Sequence, residues 1–344
     1  MSPSLAPMPA SAPATAPALR VLFVIPGDGQ GSSMIFARRQ ADSLTAQGVE
    51  VECFFLRSRT SPHALVSELL RFRRVLRRFQ PFVVHAHFGT VTALFAMLAS
   101  LPHPLMITFR GTDLNAVPNG GVRAFLGRVF SQLAALRAAH IVCVSSQLRA
   151  RLWWRKSRVT VIPSGVDYTQ FRPIDRAVAR RLLGWQAEER VVLFNAGHDA
   201  RNKRLDLAQE ACRHARLILP DLRLEVLRGH TDPGLIPVLM NASDCLLVAS
   251  DSEGSPTVVQ EALACGLPIV SVPVGDIEER LRDVIPSRIV QRDAGLLAEA
   301  VVELTRSPLR SNGRSKIGEI SLQSIALKLK GRYEILAHGA QTQS

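Results

Sequence analysis

The most constraining feature of this 344-residue chain is a repeated alternation of short apolar runs, loops and helix-length segments. One series opens with Leu19 to Ile25 and the loop Pro26-Gly-Asp-Gly-Gln-Gly31; a second opens with Val191 to Ala196 and Gly197. Between and after them lie Val49 to Leu56, Val83 to His87, Leu105 to Thr108, Ile141 to Val144, Leu222 to Leu227, Asp244 to Ala249 and Pro268 to Val272. Runs that are apolar throughout, rather than alternating, suit strands covered on both faces, and helix-length connections make such strands parallel. The expected fold is therefore α/β, with two Rossmann-like doubly wound parallel-sheet domains and a cleft between them. The length agrees, because a single core rarely grows beyond about 250–300 residues.

Val159 to Ile162 is followed by Pro163-Ser-Gly165 and Phe171-Arg-Pro173, which punctuate the chain and mark the join. This places a first domain over residues 19–166 and a second over 167–318. Apolar residues at 322, 325, 329, 333 and 336 have a helical period, so residues 319–344 form a closing helix and tail. Residues 1–18 are rich in Pro and Ala, uncharged, and without the basic start and apolar stretch of a secretory signal; they read as a disordered tail. No apolar run reaches the roughly 18 residues that a membrane-spanning helix needs. The five cysteines are odd in number, scattered and never in a CxxC pair. That pattern favours reduced, buried thiols in a cytoplasmic protein over disulfides or a zinc site.

The formal charge of +13 is divided unevenly. Residues 19–166 hold 19 Lys and Arg against 6 Asp and Glu, whereas residues 167–344 hold 23 of each. A basic face on one half suits an extended anionic partner: a phospholipid surface, nucleic acid or an acidic glycan. Pro62 to Phe79 reads as a helix with Leu65, Leu69, Phe72, Leu76 and Phe79 on one face and Arg71, Arg73, Arg74, Arg77 and Arg78 near its end. Arginines there suit the helix dipole, but so many exceed what a helix end requires. A second concentration, Arg149 to Arg158, mixes Trp153 and Trp154 with cations, as at a membrane interface. The expected docking partner is an anionic membrane surface on the cytoplasmic side, or an anionic lipid-linked acceptor. No nucleic-acid-reading motif is present.

The segment Asp251 to Val270 carries the most specific chemistry. A strand ending near Ala249 leads into a loop with Glu253 and Gly254, and a helix starts near Pro256, a residue favoured in a first turn. Backbone N–H groups of Ser255 to Val258 are then free to receive a phosphate, helped by the helix dipole. Glu253 precedes the helix and Glu261 lies one turn inside it, so one carboxylate can reach a sugar hydroxyl and the other a ribose diol. The same residues would also serve a capped helix with a surface acid at each end.

This segment resembles the E-x7-E region of glycosyltransferase family 4, the large retaining GT-B family. The resemblance includes the EA-x-A-x-G-x-P ending, supplied by Glu261, Ala262, Ala264, Gly266 and Pro268. It implies a GT-B fold whose first domain faces the acceptor and whose second binds the nucleotide-sugar. There Glu253 contacts the transferred sugar and Glu261 the nucleotide ribose, with Gly254, Ser255, Pro256 and Thr257 on the donor. Gly197 to Ala208 resembles the family's G-R-x(4–6)-K-[GR] loop, which implies that Lys203 faces the leaving diphosphate, where stabilising charge is a large catalytic term. His198 stands where the family usually has Arg, and Arg201 is the candidate for the missing cation. Val84 to Gly89 and Ile107 to Leu114 resemble strand-end motifs facing the cleft, which places His87 near the donor sugar and matches Gly111 and Asp113 by position. Arg110 stands where His is more common. Gly31 is the retained member of a glycine pair in the first loop. Cys143 to Leu148 and Val161 to Asp167 also resemble the family, and the resemblance runs from about residue 20 to 305.

The function expected from this reading is retaining transfer of a hexose or related sugar from a nucleoside diphosphate-sugar to a hydroxyl acceptor, a lipid-linked or cell-envelope glycan. His87, Lys203 and Glu253 are the expected catalytic residues, and the chemistry calls for no metal or other cofactor. Two rivals are a GT-B nucleotide-sugar epimerase, which would use carboxylates and histidine to move protons, and a basic nucleic-acid-binding protein. The second leaves Glu253 and Glu261 without a purpose.

Overall fold

The computed structural model describes residues 18–30, 34–116, 121–306 and 308–341. Gly31 and almost all of the expected N-terminal tail lie outside the described residues.

Six strands form a first sheet: β1 (Arg20–Pro26), β2 (Glu50–Leu56), β3 (Val83–His87), β4 (Leu105–Phe109), β5 (His140–Cys143) and β6 (Val159–Val161). Five form a second: β7 (Arg190–Gly197), β8 (Leu222–Arg228), β9 (Cys245–Val248), β10 (Ile269–Ser271) and β11 (Arg288–Ile289). The orders are β2-β1-β3-β4-β5-β6 and β11-β10-β9-β7-β8, and every pairing is parallel. Both faces of each sheet are covered, which is why Val21 to Ile25 and Val191 to Phe194 are buried without alternation. β11 escapes the sequence pattern because it is a two-residue edge strand with both residues exposed.

Each sheet reverses its strand order once, between β1 and β3 and between β7 and β9. At such a point the loops leave in opposite directions and a crevice opens at the carboxyl ends of the strands. The loops after β3, β7 and β9 carry the motifs singled out above.

The helix Pro62–Phe79 has the bounds that its pattern predicts, starting at Ser61, whose hydroxyl accepts from the Ala64 N–H, and ending at Gln80 in the left-handed region. Phe72 and Leu76 pack it onto Phe54 and Leu56 of the first sheet. The opposite face is covered by helix Ile35–Thr45 and by the closing helix, Leu322–Gln341, which returns to this sheet through Ile325, Ala326, Leu329 and Tyr333. Burying Ile325 and Leu329 contributes roughly 1.5–3 kcal/mol each, so the return is firmly held. The outgoing and returning chains meet in a parallel bridge between Val166 and Ser321. Gly165 permits that approach, because a Cβ there would sit 2.9 Å from Leu322 Cα. All five cysteines are free thiols.

Two features of the basic half differ from the expectation. Arg71 bonds to Glu68 and to the Phe55 carbonyl and lies over the Phe54 ring, and Arg78 pairs with Glu52. Arg71 thus ties the helix to β2, while Arg73, Arg74, Arg77 and Arg78 remain exposed, Arg78 with its side chain 71% exposed despite its pairing. The tryptophans also divide: Trp154 donates its indole N–H to Gln132 O (2.7 Å), while Trp153 is 59% exposed.

Candidate active site

The loop after β9 runs from Ala249 to Pro256, and helix Thr257–Ala264 follows with no side-chain cap on its first N–H groups. After β7, Gly197 in the left-handed region (φ 52°) turns the chain into a single helical turn, Ala200–Lys203. The two loops are tied together: Asn202 Nδ2 donates to Ser252 O (3.0 Å) and Asp251 N to Asn202 O (2.8 Å). From the first sheet, the loop after β4 brings Arg110, Gly111 and Thr112 against them. Together these segments line a cavity of about 290 Å³ that includes Asn195, Lys203 and Glu253 to Val258.

Glycines set how closely the two halves meet. A Cβ on Gly254 would lie 1.9 Å from the Arg110 carbonyl oxygen, and one on Gly111 would lie 3.2 Å from Gly254 N. Gly254 has no room for a side chain, and one on Gly111 would have to push the Gly254 backbone aside. Asn115 reinforces the contact, donating to Ser252 Oγ (3.2 Å) and Glu253 O (3.0 Å).

Lys203 Nζ lies 2.5 Å from Glu253 Oε1, and both side chains are largely buried. Glu261 points from the second turn of its helix toward Arg39 Nη1, 3.6 Å away on the helix Ile35–Thr45. Burial pushes the Glu261 carboxyl up to about 7, with Arg39 pulling the other way. Ser255 contributes only backbone to the cavity: its hydroxyl donates to Asp276 Oδ2 (2.7 Å) and accepts from Gln260 Nε2 (2.8 Å). Pro256 occupies the position just before the helix, and Thr257 opens it. Arg201 is exposed on the short helix and stands outside the cavity lining. The neighbouring Arg204 is occupied by Asp206 and Asp251. His198 packs against Gly229, where a Cβ would collide with its ring at 2.1 Å.

His87, expected near the donor sugar, stands deeper than the other candidates, and its buried Nε2 has no hydrogen-bond partner among the described residues. Its side chain is fully buried and does not line the cavity. Strand residues two apart share a face, so His87 lies beside His85 on the face covered by the closing helix, where His85 Nδ1 meets the Tyr333 hydroxyl (2.6 Å). Its ring packs against Phe23 at 4.0 Å and His85 at 4.1 Å, and burial holds its pKa well below the usual histidine range. The neighbour that does reach the cavity is Arg110. Its guanidinium stacks 4.0 Å over Phe36, donates to Ser164 Oγ (2.9 Å) and Gln40 Oε1 (3.2 Å), and lies 3.1 Å from His87 Nδ1. Burial lowers its pKa to about 9.

Asp113 clips this region together. Its carboxylate accepts from the N–H groups of Gly89, Arg110 and Gly111, although burial still raises its pKa. Arg39, Arg110, Asn195 and Asn115 are the site residues that sequence reasoning did not assign. Arg110 alone carried a signal, as an unusual residue within a matched motif.

Known proteins resemble this chain over both of its domains. Residues 31–170 match the family described as Glycosyltransferase Family 4, and residues 176–307 match Glycosyl transferases group 1. D-inositol 3-phosphate glycosyltransferase of Mycobacterium tuberculosis is 31% identical over 188 residues, which is 46% of this chain and 38% of that protein. The match thus spans well under half the length of these curated relatives. Among solved structures, sucrose-phosphate synthase from Thermosynechococcus elongatus superposes with a TM-score of 0.79 at 19% identity, covering 93% of this chain and all of that one. Anabaena HepE in complex with UDP-glucose gives 0.69 at 17% identity, covering 92% and 99%. These likenesses show the shared two-domain fold.

Proposed function

Because the chain belongs to the glycosyltransferases, with family 4 over its first half and group 1 over its second, we propose that it transfers a hexose from a nucleoside diphosphate-sugar to a hydroxyl acceptor with retention of configuration. The observation that carries this reading is one cavity in which Lys203 and Glu253 meet beside an uncapped helix N-terminus, with Glu261 one turn further along. The donor diphosphate sits on the N–H groups of Thr257 and Val258 and on Lys203, and Glu261 holds the ribose diol. Glu253 takes a hydroxyl of the sugar. As the bond from C1 to the phosphate oxygen breaks, its electron pair goes to the diphosphate, where Lys203 stabilises the growing charge. The acceptor oxygen attacks C1 from the same face and its proton passes to the leaving phosphate. No metal or other cofactor enters these steps. Arg110 contributes positive potential from the facing domain.

HepE's UDP-glucose complex makes UDP-glucose the first donor to test within a thermal-shift panel of nucleotide-sugars. A ligand at about 100 times its Kd adds roughly 2.7 kcal/mol of stability. A response to one nucleoside diphosphate-sugar and its free diphosphate supports the reading. Stabilisation by oligonucleotides alone would replace it with nucleic-acid binding.

The acceptor side of this proposal is a lipid-linked or cell-envelope glycan met at the cytoplasmic face of a membrane. Its support is a groove on the first domain where Arg73 and Arg77 lie beside Leu98 and Leu101, both apolar residues 64% exposed. Val66 and Leu70 are also exposed on the same helix as the arginines. Among the described residues no helix is long and apolar enough to cross a membrane. Replacing Arg73, Arg74 and Arg77 with Gln should remove about 1 kcal/mol of attraction to anionic vesicles per residue near the surface. Undiminished sedimentation with those vesicles would overturn the membrane contact.

A further inference from the structure

We infer that the hexose carried by the donor is acidic: Arg110 and Ser164 form a site for a sugar carboxylate, so the chain takes a nucleoside diphosphate-hexuronate. The inference rests on the transferase reading, since it names the donor class of that same cavity.

Arg110 brings a positive charge to the donor cavity from the first domain, whereas Lys203 and Glu253 reach it from the second and neutralise one another. The groups that hold the guanidinium are neutral. It stacks 4.0 Å over Phe36 and donates to Ser164 Oγ, Gln40 Oε1 and His87 Nδ1, the last on a ring that burial keeps unprotonated. Asp113, the acid that acts on this cation through space, gives its oxygens to the N–H groups of Gly89, Arg110 and Gly111. Neutral partners fix the position of a cation and leave its charge uncompensated. A largely buried cation in that condition is destabilising until an anion meets it.

The donors left over suit a carboxylate. One Nη1 proton of Arg110 goes to Ser164 Oγ at 2.9 Å, which leaves the second Nη1 proton and the hydroxyl proton of Ser164. Both residues line the cavity. Two neighbouring donors, one of them charged, match the two oxygens of a carboxylate. A sugar hydroxyl would take one of them and leave the charge unmet.

The position of Arg110 favours the sugar over the diphosphate. A Cβ on Gly254 would lie 1.9 Å from the Arg110 carbonyl oxygen, so this residue stands beside Glu253, the proposed contact of the transferred sugar. The diphosphate has its own groups on the second domain, Lys203 and the N–H groups of Thr257 and Val258. Arg110 also replaces the His that is more common in its segment, and that exchange puts a permanent cation in the place of a ring that can be neutral.

The test titrates the full chain calorimetrically with UDP-glucuronate against UDP-glucose and with GDP-mannuronate against GDP-mannose, taking UDP and GDP alone as references. One hexuronate donor should bind at least about tenfold more tightly than its neutral counterpart, as expected for a charge-assisted contact. Arg110→Gln should abolish that preference and keep the parent's affinity for the free diphosphate, which also shows that the variant is folded. Arg110→Lys, a cation without the fork, should recover part of the preference, and Ser164→Ala should reduce it. Equal affinity of the parent for acidic and neutral donors would overturn the proposal whatever the variants do. A matching loss of free-diphosphate affinity in Arg110→Gln would place the guanidinium on the phosphates and overturn it as well. A parent that binds UDP or GDP without preferring a hexuronate leaves the transferase reading standing and removes this one, whereas failure to bind either nucleotide removes both.

Discussion

Lys203 Nζ and Glu253 Oε1 stand 2.5 Å apart, so the two charges assigned to the diphosphate and to the sugar hold one another across the donor cavity. Donor binding must exchange this pair for contacts with the ligand. Lys203→Ala should therefore lower kcat by roughly 100-fold or more while raising the donor KM less, because charge on the leaving group grows toward the transition state. Steady-state kinetics with varied donor checks this. Unchanged kcat would move the role to Arg201.

Glu253→Ala and Glu261→Ala should separate. Loss of Glu261 weakens binding of both the donor and its free diphosphate, since the ribose is common to both. Loss of Glu253 spares the free diphosphate and lowers turnover. Calorimetric titration with the diphosphate distinguishes the two variants, and equal losses would contradict the division of roles.

The raised Glu261 pKa gives nucleotide binding a pH dependence. A ribose diol donates to the ionised carboxylate, so affinity should fall as pH drops below about 7, approaching tenfold per pH unit for one linked proton. Stability moves the opposite way. The folded chain keeps a proton that the unfolded chain releases between about 4.5 and 7, so this group's contribution to stability grows as pH falls through that window. Glu261→Gln should flatten both dependences, and Arg39→Ala should move the affinity shoulder to higher pH. Affinity that is level from pH 8 to 5 would contradict the assignment.

His87 should behave as a positioning residue. His87→Phe keeps the stack on Phe23 but removes the nitrogen facing Arg110, so turnover should fall modestly and UDP affinity should not change. Arg110→Ala leaves Gln40 and Ser164 without their donor at a cost of roughly 1–3 kcal/mol in stability, and it should lower turnover further. A His87 effect larger than that of Arg110 would restore His87 to direct contact with the sugar.

Both sheets and the 62–79 helix were legible because fully covered parallel strands and an amphipathic helix leave local patterns. β11, short and exposed, leaves none. The second-domain residues of the site were legible for a related reason: Glu253, Gly254, Thr257 and Glu261 sit on one loop and helix, so sequence spacing is spatial spacing. Arg39, Arg110 and Asn115 reach that site across the cleft, and no local signal reports such a contact. His87 shows a different limit. A sequence reveals which end of a strand a residue occupies, but where both faces are apolar it does not reveal which face the side chain takes. Ser255 was placed correctly in the loop, yet its hydroxyl is consumed by Asp276 and Gln260, partners that only the fold brings near.

The most direct measurement of the central claim is proton NMR of the reaction with the nucleotide-sugar that the thermal-shift panel selects, in the parent and in Glu253→Gln. The account predicts release of the nucleoside diphosphate together with a product that keeps the donor's anomeric configuration, and loss of both in the variant. An inverted product, or a free epimer formed without an acceptor, would contradict it.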